Sequence, residues 1–594
     1  MQKKKAIMIG AGLSNMAAAV YLIQEGKWSG DQITFYALDN YGSNDGSPTQ
    51  DVKDDYWNKN HPMENQKGYI ARGGRMLNYR TYVDLMDLLD RVPSMTEPCL
   101  TAAEDTRQFD AAHPTYDKAR LLTGGQGIVD GGKLGLNNKS RKLLTQLIMM
   151  PDSQEEKLDN ITIADYFKDN TEFFESNFWF MWETTFAFRT RSSAQELRRY
   201  MHQMIYEFTQ IEHLVGVNRT RYNQYESIMK PLINYLEKEG CHIVLNRRVV
   251  DWKFKDSKMQ DEITVTGLHM VNTKTDENEF VPVDDDTAVI FTNGSITDSA
   301  TLGDFNTPAA ENMDYGAACG SLLSDFVFDR SPGLGCIFHR SVLCCLYQPA
   351  APRRRSPCGL GYTVPDKFFA DRDASEWVSF TLTTKNHLFL NEIARITTQE
   401  PGNALNSFIS TEPVTPLGQK DVTMSIVVHH QPHFTSQKPN ETVLWGYFLY
   451  PRRHGEIIDK PYIEMTGKEM LQELIGQLSK VDPGPINISD KEEEIMDSVI
   501  NCIPVYMPYA SALFNNRAKS DRPKVIPKHS TNLAFTGEFV EQPYQMIFTE
   551  NSAVRSGEIA AFHFAGIPMS RLVKTPRYDK DVKTLLRAAK KMFD

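Results

Sequence analysis

A glycine-rich turn close to residue 1 carries the residue types that hold a phosphate. Ala6-Ile7-Met8-Ile9 is a short apolar run, Gly10-Ala11-Gly12-Leu13-Ser14-Asn15 follows it, and Met16 to Ile23 is Ala-rich and apolar. The order reads strand, glycine turn, helix. Gly10 permits the tight turn and Gly12 lets the backbone approach a pyrophosphate. The N–H groups of Leu13, Ser14 and Asn15 open the helix, where they and the helix dipole favour an anion. A second strand, Gln32 to Tyr36, closes a βαβ unit, and Asp39 is placed to hold a ribose hydroxyl. Two features depart from the dinucleotide fingerprint. Asn15 stands at the third glycine place, and Ala37 stands where an acidic residue ends the second strand. Whether Ala37 is tolerated or Asp39 shifts into place is left open by the sequence.

Two distant segments complete the pattern. Thr531 to Phe539 reads as a strand running into Gly537-Glu538, with a helix from Thr549 onward. Ala288-Val289-Ile290-Phe291-Thr292 is another buried strand, ending at Asn293-Gly294-Ser295. Strand-Gly-acid segments of this kind lie beside the flavin in large two-domain flavoproteins, which favours FAD over NAD. The competing reading is a set of sheet edges in an α/β fold that binds no nucleotide.

The rest of the composition narrows the class. The chain has 594 residues, 41% hydrophobic and 24% charged, with 36 Gly and 30 Pro. That is a globular composition of several packed units rather than a fibrous or largely disordered one. The net charge of −11 argues against a duplex nucleic-acid binder. Cys99, Cys241, Cys319, Cys336, Cys344, Cys345, Cys358 and Cys502 form no CxxC pair, so they read as reduced thiols of a cytoplasmic protein with no metal site. The N-terminus leaves no room for a signal peptide, and no apolar run is long enough to span a bilayer.

The predicted organisation is α/β: a discontinuous Rossmann-like FAD-binding domain with an inserted substrate-binding domain and a C-terminal helical segment. The FAD-binding parts are 1–140, 216–325 and 501–566. A helical lid segment covers 141–215, the substrate-binding domain 326–500, and an amphipathic helix 567–594. From Arg571 onward eight basic residues face three acidic ones. Val582, Leu585, Leu586, Ala589, Met592 and Phe593 recur at helical spacing among them. Such a helix suits the inner surface of a membrane, or equally a docked final helix with a solvated basic face.

Several ordered segments together resemble one family, the FAD-dependent fatty acid hydratases, also called oleate hydratases or myosin-cross-reactive antigens. They include Gly10-Ala11-Gly12-Leu13, Arg72-Gly73-Gly74-Arg75, Ser176-Asn177-Phe178-Trp179, Leu197-Arg198-Arg199-Tyr200 and Tyr222-Asn223-Gln224-Tyr225. Thr292 to Thr297, His430-Gln431-Pro432-His433-Phe434, Pro504 to Tyr509 and Arg522 to Pro527 follow in family order. The resemblance implies addition of water to the cis-9 double bond of free unsaturated fatty acids such as oleate, giving 10-hydroxy acids. FAD would be a non-redox cofactor, more active as FADH2. It places the proton donor on Tyr200 and a contact to the fatty acid carboxylate on Gln224. His429 and His433, in a later strand segment, read as further carboxylate contacts or as structural hydrogen-bonding residues. Arg72, Gly73, Gly74 and Arg75 would wrap the flavin, with Gly537 and Glu538 beside it. Monomer and homodimer both stay open.

One departure bears on the chemistry. The family carries a water-orienting glutamate directly after Arg-Gly-Gly-Arg, and here that place is Met76. Methionine cannot accept a proton. Glu183, in a strongly aromatic segment, or Asn78 is the expected substitute. The same departure feeds two other readings: a flavin-dependent lipid isomerase or oxidoreductase, and a lipid-binding flavoprotein with weakened catalysis.

Overall fold

The computed structural model describes residues 3–38, 46–48, 67–74, 76–124, 127–255, 262–292, 297, 300–311, 371–401, 405–410, 424–482 and 484–593. Asp39, Arg75, Asn293, Gly294 and Ser295 lie outside the described residues.

The apolar run after the basic N-terminus forms the strand Lys5–Ile9, the centre of a five-stranded sheet. Across that sheet run Leu533–Thr536, Thr287–Thr292, Lys5–Ile9, Ile33–Tyr36 and His242–Val244. Every pairing is parallel. The strands come from widely separated parts of the chain, and their spatial order is that of a Rossmann fold. Thr287–Thr292 is buried at all six positions, as expected where both faces of a parallel sheet are covered. The first helix, Leu13–Gln24, packs against the last long helix, Glu550–Ala565. Gly557 permits this approach: a Cβ there would stand 2.2 Å from the Ser14 carbonyl oxygen.

A second sheet of eight strands stands beside the first. Its order is Thr301–Leu302, Val499–Met507, Trp377–Thr384, Thr442–Phe448, Met424–Val428, Leu405–Ser410, Leu121–Thr123 and Gly127–Ile128. Side chains alternate between its faces. Val378, Phe380, Leu382, Ile426, Val428, Leu444 and Phe448 join one core with the helices Leu388–Thr397 and Gly467–Val481. Trp377, Val427, Trp445 and Tyr447 point the other way, into a separate cluster. That second face becomes a wall of the site.

The helix Ala194–Gln203 carries Tyr200 and is buried on every side, all ten residues included. Leu197, Tyr200 and Met201 join the main apolar core. The opposite face is charged, and it is closed by ion pairs. Arg198 bonds Asp152 at 2.8 Å and Glu155 at 3.0 Å. Arg199 bonds Glu155 at 2.9 Å and Glu541 at 2.6 Å. Glu196 receives Arg517, with Arg522 at 3.6 Å. A helix with this sequence can be buried only because each charge meets its opposite inside.

The final helix, Val582–Phe593, docks through Thr584, Ala588 and Met592, and Lys591 reaches Glu212 at 2.6 Å. The predicted apolar stripe is therefore divided. Met592 packs inward, while Val582, Leu586 and Phe593 are exposed at 67%, 66% and 66%. The buried strip runs through Thr584, Ala588 and Met592, with Leu585 partly buried against the core.

The ion-pair cluster makes a stability prediction. Burial alone would raise the Glu155 carboxyl, but the Arg199 hydrogen bond and the Arg199, Lys519 and Arg198 charges outweigh it and hold the group down at about 2. A carboxyl depressed in the folded state stabilises the fold above its unfolded value and stops doing so as the pH falls through the folded one. Stability from Glu155 should therefore fade between about pH 4.5 and about pH 2. Glu155→Ala takes one carboxylate partner from each of two buried guanidinium groups, which keep Asp152 and Glu541, and should cost about 1–3 kcal/mol, read as a lowered denaturant midpoint at pH 7. An unchanged midpoint would show that the pairs do not hold this helix.

Candidate active site

At the carboxyl ends of the parallel strands two glycine turns make a cradle. Gly10 has φ +88° and Gly537 has φ +105°, a region that favours glycine. A Cβ on Gly10 would stand 2.6 Å from Thr292 Cγ2, and one on Gly537 would stand 3.0 Å from Thr292 Oγ1. Gly12 caps the first helix with no side-chain cap and no acidic residue in the first turn. The N–H groups of that turn, from Leu13 and Ser14 on, are thus left to an anion, which fits a pyrophosphate. Asn15 has a different part. Its amide nitrogen donates to the carbonyls of Ile9 at 2.9 Å and Gly10 at 2.8 Å, and its oxygen accepts from Thr536 Oγ1 at 2.7 Å. The same amide nitrogen reaches the Ile290 carbonyl at 3.3 Å, so the residue at the third glycine place ties three neighbouring strands together, and its side chain faces the sheet. Gly537 donates its N–H to Ser556 Oγ at 2.8 Å, and Glu538 beside it is half-buried.

Next to this cradle lies a cavity enclosing about 940 Å³ of space, its mouth included. Arg72, Gly73, Gly74, Met76 and Asn78 form one side, and Tyr200, Thr549 and Glu550 another. The wall of Trp377, Val427, Trp445 and Tyr447 comes from the second sheet. The loop before Asn78 is fixed at both ends. The Ala71 N–H donates to Thr381 Oγ1 at 2.9 Å, and Leu77 exchanges backbone bonds of 2.7 Å with Asn218. Gly74 lies against Val427 and Trp445, where a Cβ would approach to 3.2 Å.

Tyr200 is fully buried among Phe186, Phe188 and Phe514, with ring centroids 5.1, 5.1 and 5.6 Å away. Its hydroxyl donates to the Ile547 carbonyl at 2.6 Å. Burial, reinforced by Tyr82, Glu538, Glu196 and Glu550, pushes the phenol well above its ordinary value. It carries its proton throughout the physiological range.

The residues weighed as substitutes for the missing glutamate part company. Met76 is half-buried and does line the cavity, as does Asn78, whose Nδ2 contacts Met204 Sδ at 3.5 Å. Glu183 is buried but stands behind the wall that Thr184, Thr185 and Phe186 make. It accepts the Tyr450 hydroxyl at 2.9 Å, and burial raises its carboxyl to about 7 against the pull of Tyr450, Arg189 and Arg453. The carboxylate in the described cavity lining is Glu550. Sequence reasoning passed over it because an acid in the first turn of a helix is ordinarily explained by the dipole.

A smaller pocket adjoins the cavity at Gly73 and Arg219, and Thr220, Asn223, Gln224, His429, His430 and His433 complete it. Gln224 precedes a π-helical turn, Tyr225–Met229. The Asn223 N–H donates to the His433 carbonyl at 2.9 Å, and Glu226 accepts from Asn223 Nδ2 at 2.7 Å and from the Thr435 N–H at 3.0 Å. These bonds bring Gln224 to the histidine segment, although Gln224 Nε2 itself donates to Glu550 at 3.1 Å. His429 and His433 stack at 3.8 Å. Burial holds both imidazoles neutral, His433 down to about 3. Among the described residues no cluster could hold a metal ion.

This site can be set beside known proteins. A linoleate hydratase of Lactiplantibacillus plantarum is 72% identical over 594 residues, covering 100% of this chain and 99% of its own. An oleate hydratase of Streptococcus pyogenes serotype M49 is 30% identical over 575 residues, 96% of this chain and 87% of its own. A cyclohexylamine oxidase from Brevibacterium oxydans covers 95% of this chain and 99% of its own at 13% identity and a TM-score of 0.47. The fold assignment rests instead on the strand order above. The MCRA family model matches residues 3–335 and 358–562, and with the full-length likeness to the first relative this establishes that the chain belongs to the MCRA family.

Proposed function

We propose that this protein hydrates the cis-9 double bond of free unsaturated fatty acids such as oleate, giving the 10-hydroxy acid, with FAD as a non-redox cofactor. The observation that carries the reading is the placement of a protonated phenol, Tyr200, and a carboxylate, Glu550, in the lining of one largely apolar cavity beside the nucleotide cradle. The names of the two hydratase relatives agree with it.

An alkene is a weak base, so the acid must be held against it and water must be ready on the neighbouring carbon. Tyr200 would give its hydroxyl proton to C9 after turning from the Ile547 carbonyl. The oxygen of a water molecule would bond to C10 as the π bond is consumed. Glu550 would take the proton that water loses, and return of a proton to Tyr200 restores the phenol. Alkene and water are consumed, an alcohol forms, and no electrons are exchanged overall. Asn78, in the cavity lining with Met76, would orient that water. Gln224 holds Glu550 in place through its amide. The aromatic wall keeps other water out, which strengthens the electrostatic interactions inside.

The glycine turns at Gly10, Gly12 and Gly537 fit the FAD pyrophosphate and ribityl region, and Arg72 with Gly73 and Gly74 would lie against the isoalloxazine. Bound there, FAD or FADH2 would supply a planar polar face that orders the site without net electron transfer. The exposed Val582, Leu586 and Phe593 beside Lys583, Arg587 and Lys590 suit an anionic lipid surface, from which such substrates partition.

Three measurements test this. Flavin-loaded protein given oleate in oxygen-18 water should form 10-hydroxystearate carrying the label, and Tyr200→Phe should lower turnover by ~100-fold or more with the flavin spectrum intact. An unlabelled shifted alkene, or full turnover by the phenylalanine variant, would sink the hydration reading. Glu550→Gln should cost a comparable factor while Glu183→Gln retains most of the rate; the reverse result would move the base to Glu183. Sedimentation with vesicles rich in phosphatidylglycerol should fall when Leu586 and Phe593 are both changed to Ser, and equal sedimentation would remove the membrane contact.

A further inference from the structure

We propose that Arg219 is the cationic anchor for the fatty acid carboxylate, the residue that selects free acids over neutral lipids; the inference rests on the fatty-acid reading of the cavity.

Arg219 is 6% exposed. Its Nε, Nη1 and Nη2 atoms all lie buried with no hydrogen-bond partner among the described residues. Its backbone N–H is held by Asp110 Oδ1 at 3.1 Å, so the position of the residue is set by its main chain and the guanidinium is left over. The nearby acids are engaged elsewhere. Asp110 accepts Tyr79, and Asp117 pairs with Arg120 at 3.6 Å. They act on Arg219 through space and oppose the lowering of its pKa by burial. A guanidinium buried without bonded partners costs several kcal/mol, and a protein keeps such a group where a ligand supplies the missing acceptors.

Its location identifies the ligand group. Arg219 lines both the main cavity and the smaller pocket, and so stands at their junction. The other polar groups of the small pocket are poorly suited to neutralise an anion. His429 and His433 are held neutral by burial, and the Arg219 charge itself helps to keep them so. The Gln224 amide is used on Glu550. His429 Nε2 is buried with no partner of its own and can add a hydrogen bond to an anion already fixed by the arginine. A planar guanidinium presents paired N–H donors that match the two oxygens of a carboxylate. The alkyl chain would then run from Arg219 past Gly73 into the apolar cavity where Tyr200 stands.

The test reads binding apart from reaction by using stearate, which has no double bond to hydrate. Flavin-loaded protein should bind stearate at least ~100-fold more tightly than octadecanol, followed by quenching of the tryptophan fluorescence that Trp377 and Trp445 contribute from the cavity wall. Arg219→Met should weaken stearate binding by a similar factor and leave octadecanol unchanged. Arg219→Lys, which keeps the charge and loses the fork, should recover part of the affinity. In turnover the loss should appear in KM for oleate more than in kcat. Equal affinity of the wild-type protein for acid and alcohol would overturn the proposal even if the methionine variant fails to fold. So would a folded methionine variant that binds stearate normally, or one that loses flavin while keeping stearate. Failure of hydration in oxygen-18 water with acid selectivity intact would overturn the reaction and leave the anchor standing.

Discussion

The buried meeting of Arg198 and Arg199 with Asp152, Glu155 and Glu541 governs the geometry of the site. Tyr200 follows Arg199 directly, so the orientation of its ring is set by a helix that has no solvent-facing side. A short helix with this many charges would ordinarily lie on the surface. Internal ion pairing lets it be enclosed, and enclosure keeps the phenol protonated and its neighbours dry. Partners of the same cluster come from residues 152–155, 517–522 and 541, so it also joins the helical segment to the chain that returns to the parallel sheet.

Two sheets with different habits converge on the cavity. The parallel sheet ends at glycine turns and leaves backbone N–H groups facing outward, a surface suited to a phosphate. The mixed sheet contributes one side of alternating strands, with Trp445 and Tyr447 toward the cavity and Leu444 and Phe448 toward its own core. Residue spacing of two along a strand is what lets one segment serve both purposes. The Arg72–Asn78 loop lies between them, bonded to Thr381 on one side and to Asn218 on the other. That loop places Asn78 and Arg219 near each other although well over a hundred residues separate them.

The charge distribution inside the site is uneven. Burial removes charge from His429 and His433 and keeps the proton on Tyr200. Arg219 stands where the cavity meets the smaller pocket, and Glu550 lies in the cavity lining, held by the Gln224 amide at 3.1 Å. A molecule with one anionic end and a long apolar chain fits an arginine set at the edge of a largely apolar cavity.

Much of the scaffold could be read locally. Gly10-Ala11-Gly12 between an apolar run and an Ala-rich segment determines a strand, a turn and a helix, because glycine conformations and apolar periodicity act over a few residues. The aromatic helix around Glu183 and the helix that carries Tyr200 were legible for the same reason. Asn15 was legible as a departure, but its bonds to three strands needed those strands side by side. Glu183 and Glu550 could not be ranked from sequence. Both are acids in helices, and which one reaches the cavity depends on how each helix is rotated against the mixed sheet. Arg219 stood in an unremarked stretch for a like reason. Local propensity decides which segments coil or extend; only the packing of distant segments decides which polar groups are buried, which are paired, and which are left facing a ligand.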